Sequence, residues 1–153
     1  MSNIEVNFYH LTATTLDRAL MKLLDKIISL GHKVKILCLN ENQMSMLDQS
    51  LWSLGRISFL PHALDSDPFP LEQPIILSLD QHNNLNHADI LLNLSEHEVV
   101  IPEFKKILLM FDSNNEEELI KARNRWKYYS GQNCFKPTYF KQDSQGNWIK
   151  NEQ

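Results

Sequence analysis

Between Gly31 and Asn40 the chain reads Gly-His-Lys-Val-Lys-Ile-Leu-Cys-Leu-Asn, and the mostly apolar run Val34 to Leu39 inside it restricts the fold more than any other stretch. A strand with one face in water alternates apolar and polar residues. A run with little alternation suits a strand covered on both faces, as in the interior of a parallel sheet. Parallel neighbours need crossover connections, and the flanking segments supply them. Before the run, Leu16, Leu20, Leu23, Leu24 and Ile27 recur at helical spacing, with Thr14 or Thr15 placed to cap that helix and Gly31 to stop it. After it, Asn40 is placed to cap a second helix carrying Met44, Leu47 and Leu51, with Trp52 near its end and Gly55 closing it. With Ile4 to His10 as a first strand, the order is strand, helix, strand, helix, the unit of an open α/β sheet.

The remaining segments extend that unit. Ile57 to Leu60, Ile75 to Leu79, Asp89 to Leu94 and Phe104 to Phe111 read as further strands. Ala63 to Gln73, with Pro68 and Pro70 among acids, reads as a surface loop, and the asparagine-rich Gln81 to Ala88 as an exposed one. The expected fold is therefore α/β: a single domain with an open, mostly parallel twisted sheet, flanking helices and a nucleotide-binding-like topology. Residues 1–135 make up that domain. Residues 136–153 are polar, with Tyr139, Phe140 and Trp148 scattered among them, and read as a tail that is flexible or folded over an edge.

The last helix carries the most distinctive chemistry. Glu116, Glu117 and Glu118 open it and Lys127 lies in its last turn, so both ends complement the helix dipole; Gly131 stands where a left-handed C-terminal cap is wanted. At about 100° per residue, Leu119, Ala122, Trp126 and Tyr129 share one narrow arc facing the core. Arg123 and Lys127 run along one edge of that arc beside Trp126, while Lys121 and Arg125 flank the other. An indole with a guanidinium and an ammonium beside it suits a carboxylate attached to an apolar group. The same pattern also fits a solvated helix face, and the residues alone leave both readings open.

Charge narrows the partners. Net charge is −4, whereas a protein gripping duplex DNA through many phosphates is normally basic. A basic helix on an acidic protein points to an acidic peptide. Cys38, in the buried run, and Cys134, in a late loop, share no disulfide framework or metal spacing, which fits a reduced, cytoplasmic setting. The start, Met1-Ser2-Asn3-Ile4-Glu5, carries no signal pattern and no apolar run approaches membrane-helix length, so a soluble intracellular protein is expected.

Catalytic parts are not found. The four glycines, Gly31, Gly55, Gly131 and Gly146, are never paired at short spacing, so neither a phosphate loop nor a dinucleotide fingerprint can be written. His82 and His87, near Asp80 and Asp89, sit in a polar loop without the tighter spacing of a zinc site. No Gly-x-Ser-x-Gly elbow occurs, and Asp17, Asp25 and Asp48 read as solvated helix face. Neither cofactor nor metal is expected. A small α/β nucleotide-binding or hydrolytic enzyme remains the alternative, supported by the sheet pattern only.

Several stretches together carry a family resemblance. Phe8-Tyr9-His10-Leu11, the Gly31-His32-Lys33-Val34 turn, Leu51-Trp52 before Ser58-Phe59-Leu60-Pro61-His62, and Ala122-Arg123-Asn124-Arg125-Trp126-Lys127-Tyr128-Tyr129 resemble the chi subunit of bacterial DNA polymerase III over roughly residues 4–135. The resemblance implies a non-catalytic accessory subunit of the clamp-loader assembly during DNA replication. It implies that the chain tethers the polymerase to single-stranded-DNA-binding protein by holding that protein's acidic, phenylalanine-terminated C-terminal tail. A second surface would bind the psi subunit or a competing helicase-like protein, and a one-to-one heterodimer is the family's pattern. The family's tail-binding arginine matches Arg123, the aromatic three positions later matches Trp126, and the next basic residue matches Lys127; Trp126 departs from the family's tyrosine, keeping an apolar wall but losing a hydroxyl. The psi-facing aromatics match Trp52 and Phe59. Lys121 or Arg125 would steer the tail's acids.

Overall fold

The computed structural model describes residues 4–53, 63–64, 67, 73–98, 101, 103–112 and 114–151, without the side chains of residues 52, 53 and 151. The first strand, β1 (Ile4–Leu11), leads into α1 (Leu16–Ser29), β2 (Val34–Leu37) and α2 (Glu41–Ser53). Then follow β3 (Ala63–Leu64), β4 (Ile75–Ser78), β5 (Ile90–Asn93), β6 (Lys106–Asp112), α3 (Glu116–Ser130), β7 (Phe135–Gln142) and β8 (Trp148–Asn151). The strands form one open sheet in the order β3-β4-β2-β5-β6-β1-β7-β8. Every pairing is parallel except the last, where β8 turns back along β7.

Alternation along the strands splits the core in two. Val34 and Ile36 join Leu20, Leu24 and Ile27 of α1 and Leu47 and Leu51 of α2 on one face. Phe8, Leu91, Ile107 and Leu109 meet Ala122 and Tyr129 of α3 on the other. Covering both faces is what the uninterrupted run at β2 requires, and all four β2 residues are buried. Lys35 is buried there as well; its ammonium donates to the main-chain carbonyls of Asp80 and Asn83 and to Asn83 Oδ1. Helix ends follow local chemistry. Asn40 Oδ1 accepts from Gln43 N at 2.8 Å, Asn115 Oδ1 accepts from Glu117 N and Glu118 N at 3.0 and 3.3 Å, and Gly31 leaves α1 at φ +88°.

Five expectations change. Thr15 occupies the N-cap position of α1 without a side-chain cap bond. Gly131 ends α3 at φ −80°, a right-handed conformation, its N–H bonded to Lys127 O at 3.1 Å. Within Ala63–Gln73, Ala63 and Leu64 pair with Ile76 and Leu77 as a short edge strand. The loop Gln81–Ala88 is not simply exposed: Asn86 and Ala88 are fully buried, and Asn86 Nδ2 donates to Gln73 O and Val34 O. Residues 135–151 are not an appendage, since β7 lies beside β1 along its whole length and β8 forms the sheet edge. The expected strand at 57–60 lies outside the described residues.

Gln142, at the end of β7, holds the turn that leads from β1 into α1. Its Oε1 accepts from the main-chain N–H groups of Thr12, Ala13 and Thr14 at 3.0, 3.0 and 3.2 Å, and its Nε2 donates to Thr14 Oγ1 at 2.8 Å. This is the strand-to-helix turn where a nucleotide-binding sheet turns its amides toward phosphate. Here one side-chain amide takes all three. Gln142→Ala is expected to lower the unfolding free energy by about 1–3 kcal/mol, the cost of donors losing a buried acceptor, tempered by water reaching the exposed Thr12 and Ala13. Urea denaturation measures it; an unchanged midpoint would mean the turn does not depend on Gln142.

Candidate peptide-binding site

Helix α3 packs over β6, β1 and β7 along the stripe its spacing predicts. Ala122 and Tyr129 are buried, and Leu119 and Trp126 are half-buried against the same cluster. Trp126 is held by aromatic edges: Phe8 at 5.1 Å and 66°, and Tyr139 at 6.3 Å and 85° between ring centroids and planes. Such T-shaped pairs fix the indole plane while leaving part of it toward solvent.

The two edges of the stripe differ in charge state. On one, Lys121 Nζ donates to Glu96 Oε1, and Arg125 Nε donates to Glu98 Oε1 at 2.6 Å. Arg125 Nη2 also donates to the carbonyls of Ser95 and His97 at 2.8 and 3.2 Å, and the Tyr129 hydroxyl donates to Glu98 Oε2. The loop after β5 therefore already supplies acids to this edge. Its hydrogen bond to Glu96 raises the Lys121 pKa and lowers that of Glu96. On the other edge, Arg123 and Lys127 are exposed, and among the described residues no carboxylate pairs with either. Of the five residues singled out on α3, the structure groups Arg123, Trp126 and Lys127 on the edge whose charge is unanswered and commits Lys121 and Arg125 to the chain's own acids.

The crevice at the carboxyl ends of β1, β5 and β6 is where open α/β sheets usually hold ligands. Here it is a cleft of about 140 Å³ lined by Phe8, Phe111, Asn93, Gln43, Lys121 and Arg125, among others. Small-molecule sites usually enclose ~300 Å³ or more, so a nucleotide is poorly accommodated. In the polar loop His87 Nδ1 is hydrogen-bonded to Glu103, and in the turn before β2 His32 Nδ1 is hydrogen-bonded to Asp89, each at 2.6 Å. Among the described residues no three His, Cys, Asp or Glu side chains converge as a metal site. Among the described residues no helix is long and apolar enough to cross a membrane.

Comparison with known families assigns the chain. Residues 3–135 match the family model described as DNA polymerase III chi subunit, HolC. The chain belongs to the DNA polymerase III chi family. Three curated relatives agree. A protein of Rickettsia prowazekii called probable DNA polymerase III subunit chi is 30% identical over 95% of this chain and 91% of its own length. The DNA polymerase III subunit chi of Pseudomonas aeruginosa is 32% identical over 72% of this chain and 76% of its own, and that of Haemophilus influenzae 30% over 79% and 85%. Chi family membership makes this chain a replication accessory subunit whose partners lie in the DNA polymerase III complex.

Of the two aromatics matched to the chi family's second surface, Trp52 lies on the last turn of α2, and Phe59 lies outside the described residues. Three groups around α3 escaped the sequence reading. Glu96 and Glu98 precede α3 by some twenty residues and nothing in their spacing ties them to it. Tyr139 sat in the segment read as a tail. Only the parallel pairing of β7 with β1 brings Tyr139 under α3, and parallel pairing leaves no local signature.

Proposed function

We propose that this chain is a non-catalytic adaptor that links the clamp-loader part of DNA polymerase III to single-stranded-DNA-binding protein. It holds that protein's acidic, phenylalanine-terminated tail on the Arg123–Trp126–Lys127 edge of α3. The observation that carries the reading is the asymmetry of the helix: its other edge is neutralised internally, while Arg123 and Lys127 keep exposed charge beside a fixed indole. Arg123 suits a terminal carboxylate because its planar fork donates two parallel hydrogen bonds; Trp126 supplies an apolar wall for the terminal ring, and Lys127 attracts the upstream acids. Titrating a synthetic acidic peptide ending in phenylalanine into the protein tests this. Saturable binding that weakens steeply with salt is expected, since the charges involved are exposed. A peptide of the same composition in scrambled order binding equally well would overturn the reading.

The second surface, around Trp52 and Phe59, is proposed to hold psi or a helicase-like competitor. Trp52→Ala is expected to abolish co-purification with that partner while leaving tail-peptide affinity within about twofold, because truncating a central interface aromatic commonly costs ~2 kcal/mol or more. Loss of both activities in Trp52→Ala would assign Trp52 to the core instead.

A further inference from the structure

We propose that Tyr139, oriented by His10, is a further ligand-binding residue of the α3 edge, its hydroxyl donating a hydrogen bond to the carboxylate held by Arg123. The proposal rests on reading that edge as an acidic-peptide site, and it adds the hydroxyl that tryptophan at 126 cannot provide. Tyr139 stands on β7, its ring meeting the Trp126 indole at 6.3 Å and Phe111 at 6.1 Å. Arg123, one helical turn before Trp126, lies close enough to the Tyr139 phenol to favour its ionised form, but burial acts more strongly the other way. The group therefore keeps its proton at neutral pH and can donate it.

His10 decides where that proton points. Its Nδ1 is hydrogen-bonded to the Tyr139 hydroxyl, its ring stacks on Phe111 at 4.7 Å and 19°, and its Nε2 is buried with no partner among the described residues. Burial and the neighbouring Lys141 lower the His10 pKa against a smaller opposing pull from Asp112, so the ring is neutral at pH 7 and carries one N–H. Were the phenol to donate to Nδ1, that N–H would sit at Nε2, a buried donor with no acceptor, which folded proteins seldom leave. With the proton on Nδ1 instead, the imidazole donates to the Tyr139 oxygen and only a bare lone pair stays unmet. The Tyr139 O–H is then free to turn toward a second acceptor. Of the groups around it, the Arg123 side attracts an anion, whereas Asp112, the acid acting on His10, repels one.

Two synthetic acidic peptides, identical but for a free C-terminal carboxylate or a C-terminal amide, test the assignment by titration into the whole protein. Tyr139→Phe keeps the ring and removes the donor. It is expected to weaken the carboxylate peptide roughly 10-fold, as for loss of a hydrogen bond to a charged group, and to change the amidated peptide less than about twofold. His10→Gln, a positioning variant, is expected to shrink the preference for carboxylate over amide without abolishing it. Equal binding of the carboxylate peptide by Tyr139→Phe and the unmodified protein would overturn the assignment. So would equal weakening of both peptides, which would mark Tyr139 as a wall only. If Arg123→Ala retained full affinity for the carboxylate peptide, the site reading would fail and this assignment with it.

Discussion

Arg123→Ala should weaken the acidic-tail peptide about 30-fold or more, the largest loss expected from any single change on the binding edge. Arg125, two residues on, spends its donors on Glu98, Ser95 and His97, so its truncation would be felt mainly inside the protein. Arg123 has no such internal acid among the described residues, so its removal should leave the fold intact and be read in binding alone. A terminal carboxylate meeting it gains two charge-assisted hydrogen bonds beside an indole that limits water access on one side. Lys127→Ala should behave differently. As a point charge on a flexible stem it acts over distance, so its loss should cost a few-fold at low salt and little above physiological ionic strength, where exposed charges are screened within ~8 Å. Isothermal titration of both variants at two salt concentrations separates the roles. Identical salt dependence for the two would sink the distinction, and full affinity in Arg123→Ala would place the pocket elsewhere.

What the sequence disclosed and what it hid divide along locality. The α3 stripe, its acidic first turn and the doubly covered β2 all follow from spacing within one element, and each stands as read. The hidden parts depend on contacts across the sheet. Phe135 to Gln142 carries Lys136, Pro137, Thr138 and Lys141 among its aromatics, which reads as polar tail, yet it serves as a parallel neighbour of β1. β8 pairs with β7 at Tyr139 to Gln142, so Pro137, which has no N–H to donate, stands before that pairing begins, where β7 is bordered by β1. The partners of Lys35 are also distant in the chain: the lysine inside the apolar run is buried because carbonyls of the loop after β4 receive its ammonium. The turn after β1 carries no glycine, and its main-chain N–H groups are taken up within the chain. Their acceptor lies 130 residues away, in Gln142, whose side chain already fills the place of an anion. In the candidate site, the division of four basic residues into two edges was legible from helical geometry. Which edge was left unanswered was not, because Glu96 and Glu98 belong to another loop.

Glu98→Ala should destabilise the fold by about 2–4 kcal/mol without reducing tail-peptide affinity. The Glu98 carboxylate takes one hydrogen bond from the Arg125 guanidinium and one from the Tyr129 hydroxyl, tying the loop after β5 to the buried face of α3. Tyr129 is fully buried, and Arg125 and Glu98 are only 19% and 23% exposed, so the contact is mostly shielded from water. Removing the acid leaves a largely desolvated guanidinium and a buried phenol without their acceptor. Breaking a fully buried ion pair costs ~3–5 kcal/mol; partial exposure trims that figure, and the orphaned hydroxyl restores part of it. Glu98→Gln keeps an oxygen that accepts from one of the two donors and should cost roughly half as much. On binding, the expectation is opposite in sign: Arg125, freed from Glu98, adds positive charge near the peptide's acids, so affinity should hold or rise at low salt. Urea denaturation and peptide titration on the same preparations check the pair of effects together. Should Glu98→Ala keep full stability, the loop after β5 would not anchor α3. Should it lose peptide affinity while remaining folded, the peptide would be recognised on the Lys121–Arg125 edge, and the assignment of the open edge would be reversed.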